Sequence, residues 1–432
     1  MTTKPTYTPA IRFPDFLNDG EWEVKRLGDL FLRITDRNKE NNKNVLTISA
    51  QFGLVNQFEY FSKNVAASDV TNYYIIKKGD FAYNKSRSQG YPFGAIKPLL
   101  LYDKGVVSTL YICFRLKEDC GCDADFFRFY FETGMINDQI SNIAQEGARN
   151  HGLLNISTED FFNINLLVPP LAEQRRIAAC LSALDEMLAA TNGKLEQLKA
   201  YKKGLMQQLF ANPMGGGKSL IINNLQIQTL RFPEFRNEKE WEEKKLGEFL
   251  YEHKTKSDGK SQVYSVSVSK GVINQMEYLG RSFAASDTSK YKLVKPFDVV
   301  YTKSPTGNFP YGIVKQSMIN HNVIVSPLYG VFSPINQYIG YIIHSYFESP
   351  ERTNNYLAPI VQKGAKNTIQ ISNETFLSQK VYFPSEYNEQ RKIASCLSSM
   401  DDQINAYTEK VGLLGQYKKG LMQRMFPQNQ MN

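Results

Sequence analysis

The residues best suited to chemistry in this 432-residue chain fall into two short polar clusters, and each cluster occurs twice. "NKSRSQGYPFGAIK" at 84–97 sets Asn84, Lys85, Ser86, Arg87, Ser88, Gln89 and Tyr91 among glycines, and "TKSPTGNFPYGIVK" at 302–315 sets Thr302, Lys303, Ser304, Thr306 and Asn308 in the same frame. A second cluster, "QEGARNHG" at 145–152, offers Arg149, Asn150 and His151; its echo, "QKGAKNTI" at 362–369, offers Gln362, Lys363, Lys366 and Asn367. Lysine and arginine neutralise phosphates, arginine also grips guanine O6 and N7, and Asn or Gln pairs with adenine. The mixture predicts contact with duplex DNA. A polar surface turn has the same composition, and recurrence of both clusters in both copies is what favours a binding role. Inside the clusters the copies diverge, with Arg87 against Pro305 and Gln89 against Gly307. Two readers of unlike sequences would diverge in this way, and so would idle loops.

Catalytic candidates are poorer. "GGGKS" at 215–219 resembles the end of a phosphate loop, but Asn212 stands where the first glycine belongs and the stretch follows a helix rather than a strand, so it reads as a linker. Asp15, Glu23 and Lys25, with Glu234, Glu242 and Lys244 in the later copy, have the residue types of a metal-dependent nuclease. Such a set must converge on one metal across a hairpin, whereas here it flanks "EWEVKRLG", the opening of a globule. "VPPL" at 168–171 lacks the leading Asn or Asp and the trailing aromatic of an amino-methyltransferase, and no glycine-rich strand-turn-helix for a methyl donor is visible. His151, His253, His321 and His344 have no ligand spacing. Of the five cysteines only Cys120 and Cys122 lie close together, which is no disulfide framework, and Cys180 and Cys396 sit among apolar helix residues as packing groups. The expectation is a non-catalytic chain that binds no cofactor or metal itself.

Composition agrees with a binding role. Charged residues make up 22% and apolar ones 42%; no uninterrupted apolar run reaches the length of a membrane span, and "MTTKPTYTPAIRFPDF" lacks the apolar core of a signal peptide. No membrane contact and a cytoplasmic location are therefore expected. A formal charge of +8 fits a polyanionic partner without proving one.

The elements that must position the clusters come from an internal repeat spanning nearly the whole chain. "RFPDF" at 12–16 returns as "RFPEF" at 231–235, "EWEVKRLGDLF" at 21–31 as "EWEEKKLGEFL" at 240–250, "EQRRIAACLSALDEML" at 173–188 as "EQRKIASCLSSMDDQI" at 389–404, and "YKKGLMQQLF" at 201–210 as "YKKGLMQRMF" at 417–426. Each copy opens with β-branched and aromatic runs bounded by turn residues, such as "VVSTLYICFRL" and "NVIVSPLYGVF", and so reads as a strand-rich α+β globule. Each closes with a helix of strict 3,4 apolar spacing. The first seam runs through Ile177, Leu181, Leu184, Leu188, Leu195, Leu198 and Leu205; the second runs through Ile393, Leu397, Met400, Ile404, Val411, Leu414 and Leu421. The organisation expected is a first globule at 1–168, a long helix at 169–212, a linker at 213–228, a second globule at 229–383, a second helix at 384–427 and a tail at 428–432. A lone helix owes its stability to packing of its apolar face, so each seam needs a partner, and the nearest is the other copy. Antiparallel pairing gives a pseudo-two-fold coiled coil with a globule at each end. It also places Lys202 beside Asp401 and Asp402, and Lys418 beside Asp185 and Glu186, where each seam ammonium can reach a carboxylate.

"LLVPPLAEQRRIAACLSALDEML", the exit "KKGLMQQLF" and the reopening "RFPEF" with "EWEEKKLGEFL" resemble the specificity subunit of type I restriction-modification systems. The resemblance covers almost the full length; one departure is "FPSEYNEQRKI", with one proline where the first copy has two. It implies that the globules are target recognition domains, each reading one half of a bipartite double-stranded DNA target. The helices then set the unread gap and dock two methyltransferase subunits, and a motor and nuclease subunit joins for restriction. S-adenosylmethionine is implied for the partner methyltransferase only. A coiled-coil adaptor that touches no nucleic acid is the competing reading.

Overall fold

Runs of three to five β-branched and aromatic residues between turn residues form the strands, as their preference for a pleated, half-buried surface requires. The computed structural model describes residues 7–49, 52–61, 69–88, 90–146, 152–210, 220–222, 225–227, 230–281, 287–363 and 369–427. The chain divides into two units, Met1–Thr191 with Lys410–Asn432, and Asn192–Glu409.

In the first unit an antiparallel sheet has the order β1-β4-β2-β3, built from β1 (Phe31–Ile34), β2 (Phe81–Asn84), β3 (Ala95–Pro98) and β4 (Ile112–Leu116). Helix α1 (Ala124–Glu132), whose first turn is capped by the Asp123 carboxylate accepting the Phe126 N–H, buries five aromatic side chains. Phe31 sits at the centre, with Phe81, Phe114 and Phe127 edge-on at centroid distances of 5.8, 5.2 and 5.0 Å. The second unit repeats the plan. Its sheet has the order β5-β8-β6-β7, from β5 (Leu250–Glu252), β6 (Val299–Tyr301), β7 (Val314–Gln316) and β8 (Gly330–Pro334), with helix α3 (Gln337–Tyr346) beside it.

A two-stranded clasp closes each globule. Glu23–Arg26 pairs antiparallel with Asn165–Val168, and Glu242–Lys245 with Lys380–Phe383, so the chain leaves each globule alongside its point of entry. It passes directly into the long helices α2 (Leu171–Leu209) and α4 (Tyr387–Met425), each of 39 residues. The shared "EQ" at each helix start has a physical reason. Arg12 donates through Nε and Nη2 to Glu173 at 2.7 and 2.6 Å, and Arg231 does the same to Glu389 at 2.8 Å twice. The neighbouring glutamines, Gln174 and Gln390, donate to the carbonyls of Pro169 and Pro384 at 2.8 Å. The second copy, with its single proline, therefore keeps the same local anchorage.

Within each unit the start of one long helix packs against the end of the other. Ile177 and Leu181 share the first core with Met422, Met425 and Phe426; Ile393 and Leu397 share the second with Met206 and Leu209. Both pairings are antiparallel. Along the seams Leu184, Leu195 and Met400 are buried, while Leu188, Leu198, Leu205, Ile404, Val411, Leu414 and Leu421 are half-buried.

The seam lysines reach their carboxylates. Lys202 Nζ is 2.6 Å from Asp401 Oδ1, and Lys418 Nζ is 2.5 Å from Asp185 Oδ1. Each also meets a glutamate of the globule, which the sequence reading did not single out: Glu348 at 2.6 Å from Lys202, and Glu132 at 3.8 Å from Lys418. A strand lysine completes each set, Lys97 at 2.9 Å from Glu132 and Lys315 at 3.4 Å from Glu348. In the second unit His344 Nδ1 accepts the Gln316 backbone N–H at 3.1 Å, which leaves Nε2 to donate to Glu348 at 3.3 Å.

Burial raises the Glu348 carboxyl, but the His344 hydrogen bond and the charges of Lys202 and Lys315 outweigh it and hold the group well below the usual carboxylate range. Removing that charge in Glu348→Gln leaves Lys315 without a carboxylate, and we expect a loss of about 3–5 kcal/mol in a denaturant titration of the full chain. An unchanged midpoint would show that the network is dispensable. Burial is also the main reason that the His344 pKa lies below 6.5. The unfolded chain then takes up a proton that the folded chain refuses, so the stability His344 contributes above pH 6.5 is lost as the pH falls below it. His344→Gln should flatten this part of the stability profile by at most about 1.4 kcal/mol per pH unit; identical slopes in both proteins would refute the assignment.

Candidate nucleic-acid interface

The first polar cluster is the tip of a β-hairpin in both units. In the first unit the chain leaves β2 at Asn84, whose Oδ1 accepts the Ser86 N–H at 3.0 Å, and returns into β3. Ser88 and Tyr91 exchange backbone hydrogen bonds, as Thr306 and Phe309 do in the second unit. A tyrosine at the end of the outgoing strand braces each tip: Tyr83 Oη donates to the Phe93 carbonyl and Tyr301 Oη to the Tyr311 carbonyl, both at 2.7 Å. Each tyrosine is stacked in turn, Tyr83 on Phe161 at 5.0 Å and Tyr301 on Phe376 at 4.6 Å. A glycine closes the tip. A Cβ on Gly94, at φ +81°, would lie 2.3 Å from the Asn84 carbonyl oxygen, and one on Gly312, at φ +97°, would lie 2.8 Å from the Lys303 amide nitrogen.

Ser86, Arg87, Ser88, Ser304 and Asn308 are exposed on these tips, and Thr306 and Asn84 are half-buried. Thr302 differs. It is buried, and its hydroxyl accepts the Ile313 N–H at 3.1 Å, so it belongs to the frame of the hairpin rather than to its outer surface. Tyr91 is half-buried, with Lys97 Nζ 5.4 Å from its ring centroid. Lys85 and Lys303 are also half-buried, and burial is the first cause of a downward pKa shift in both; the charge of Lys292 adds to it at Lys303. Lys303 has φ +56°, a left-handed backbone that side-chain-bearing residues rarely adopt.

The second polar cluster is again a hairpin in each unit. Gln145–Glu146 pairs with Leu154–Asn155, and Gln362–Lys363 with Ile369–Gln370. In the first unit the two clusters meet: Arg87 N–H donates to the Gly152 carbonyl at 2.8 Å and Leu154 N–H to the Lys85 carbonyl at 3.0 Å. Gln89, Arg149, Asn150, His151, Lys366, Asn367 and the stretch 215–219 lie outside the described residues, and Lys363 is described as strand backbone only.

The acidic sets considered for metal chemistry are paired with lysines. Lys25 Nζ lies 3.3 Å from Glu23 and Lys244 Nζ 3.1 Å from Glu242, within single strands, while Glu234 lies 3.1 Å from Lys392 at the start of α4. Among the described residues no group of three or more His, Cys, Asp or Glu is placed to hold a metal ion, and no helix is long and apolar enough to cross a membrane.

The family model for the type I restriction modification DNA specificity domain matches residues 19–200 and 238–412, once for each copy of the repeat. The type I restriction enzyme MjaVIII specificity subunit of Methanocaldococcus jannaschii is 23% identical over 215 residues, 49% of this chain and 45% of that protein. The match thus spans less than half of that relative's length. The S subunit of a type I restriction-modification system from M. genitalium shares the fold, with a TM-score of 0.58 and 14% identity over 97% of this chain and 99% of the other. With both copies of the repeat matched, the chain belongs to the type I restriction modification DNA specificity domain family.

Proposed function

We propose that the chain reads a bipartite duplex DNA target, one half-site through each unit, and positions methyltransferase subunits and a motor and nuclease subunit on it. The observation that carries this reading is the pair of braced hairpins. Tyrosine, glycine, lysine and the serine after the lysine recur at matching places in both, whereas the other exposed tip residues differ, Arg87 standing where the other tip has Pro305. A frame retained under changed tips suits two readers of unlike sequences. The basic charge of the chain supports a polyanionic ligand.

In this reading the chain itself is not a catalyst and holds no cofactor. The partner methyltransferase supplies adenine methylation with S-adenosylmethionine, and the assembly acts in the cytoplasm.

Expression of the full chain with its cognate methyltransferase, followed by mapping of methylated positions across a genome, tests the proposal. A two-part motif with a fixed unread gap is expected; methylation without any such motif would contradict it. Arg87→Ala should weaken discrimination at one half-site by about 1–3 kcal/mol and leave the other unchanged. Equal loss at both halves would show that the two tips do not read separately. Duplex affinity should fall steeply with salt, because phosphate contacts release counterions. A protein-bridging adaptor would show no specific site.

A further inference from the structure

Lysines withdrawn from solvent in this chain are otherwise matched to acceptors. Lys97, Lys202, Lys315 and Lys418 have carboxylates, and Lys292 Nζ donates to the Tyr329 carbonyl at 2.6 Å. Lys85 and Lys303 stand apart. Each is half-buried, and among the described residues neither ammonium has an ion-pair or hydrogen-bond partner. Glu252 attracts the Lys303 ammonium without pairing with it directly, and Lys85 likewise has no direct acceptor among the described residues, so each unit holds a partly desolvated charge at the same place in the hairpin, an unfavourable arrangement.

The surrounding structure holds these lysines in position. Each follows the braced tyrosine by two residues, and the glycine on the returning strand packs against its backbone: the Cβ positions of Gly94 and Gly312 fall 3.2 and 3.0 Å from the Cα atoms of Lys85 and Lys303. At Lys303 the backbone is held in the left-handed region, a cost that persists only where neighbours enforce it.

We propose that Lys85 and Lys303 are the phosphate anchors of the two units, each giving its ammonium to a phosphodiester oxygen of the duplex and so fixing the register from which the tip residues read bases. The inference rests on the DNA-reading function above and assigns a division of labour within that site. Lysine is retained in both tips, as is the serine after it, although Asn84 gives way to Thr302, Arg87 to Pro305 and Ser88 to Thr306. Among ligand features, only the sugar-phosphate backbone is common to two unlike half-sites. An ammonium is also a point charge without the planar fork that suits base edges, and phosphate contacts position a protein without carrying sequence information. Base reading then falls to Arg87 and Ser88 in one unit, and to Thr306 and Asn308 in the other.

The test uses the full chain, alone and with its cognate methyltransferase, on duplexes carrying the mapped target or the same target with one half scrambled. Lys85→Met and Lys303→Met keep the apolar stem and remove the charge. Each should lower the slope of log affinity against log salt by about 1 and weaken both duplexes by the same factor, leaving the preference between them unchanged. An unchanged slope, or a loss confined to the intact target, overturns the anchor assignment. Acylation footprinting of the unaltered protein gives an independent readout that needs no variant: duplex should protect Lys85 and Lys303, and equal labelling with and without duplex also overturns it. Absence of any duplex binding by the unaltered protein, by contrast, removes the DNA-reading function itself.

Discussion

A seam lysine between two carboxylates, buried at Lys202 and half-buried at Lys418, ties each half of this molecule together. Lys418, near the end of α4, lies between Asp185 of α2 and Glu132 of the globule helix; Lys202, near the end of α2, lies between Asp401 of α4 and Glu348. An ammonium on an apolar seam is tolerated only where acceptors come to it, which makes it a strong constraint on register. Sliding α2 by a turn would take Lys202 away from both carboxylates and leave Glu348 with Lys315 and His344 only. The same contact therefore selects the antiparallel pairing in each unit and fixes the globule on its helices.

The repeated ending "YKKGLMQ" follows from this requirement. Its first lysine enters the ion network, and Met206 and Met422 enter the apolar cores. The "EQ" at each helix start plays the corresponding part at the other end: the two-point Arg12–Glu173 and Arg231–Glu389 pairs tie the segment before each globule to the helix after it. Planar guanidinium matched to carboxylate adds directional specificity, which a lysine at position 12 or 231 would lack.

On that frame the candidate interface carries little packing of its own. The outward residues of the tips contribute few buried contacts, whereas the tyrosine, glycine and strand residues beneath them are tightly constrained. In the proposed reading, fold stability and sequence reading thus fall to different residues. Exposed tip positions such as Ser88 and Asn308 can change without cost to the core, which would let one fold accommodate unlike targets.

Much of this was legible in the sequence because periodicity is local. The 3,4 spacing of the long helices, the α+β character of the globules and the duplication all follow from side-chain direction along regular elements and from residues repeating at a nearly constant offset. Pairing Lys202 with Asp401 and Lys418 with Asp185 also followed, since antiparallel geometry and the heptad pattern leave few registers. Tertiary structure alone decided which polar residues complete those pairs. Glu132 and Glu348, at or just past the end of a helix, and the strand residues Lys97 and Lys315 are separated in sequence by stretches that convey nothing about their meeting, although the recurrence of "YFE" and of the lysine after "GAI" and "GIV" was a signal of a kind. It also decided that Thr302 turns inward while Ser304 faces out, and that Lys85 and Lys303 are half-withdrawn from water without an ion-pair or hydrogen-bond partner among the described residues. Composition puts a charge or a hydroxyl in a loop; burial and hydrogen bonding, which depend on what folds against that loop, determine whether it serves the frame or remains available to a ligand.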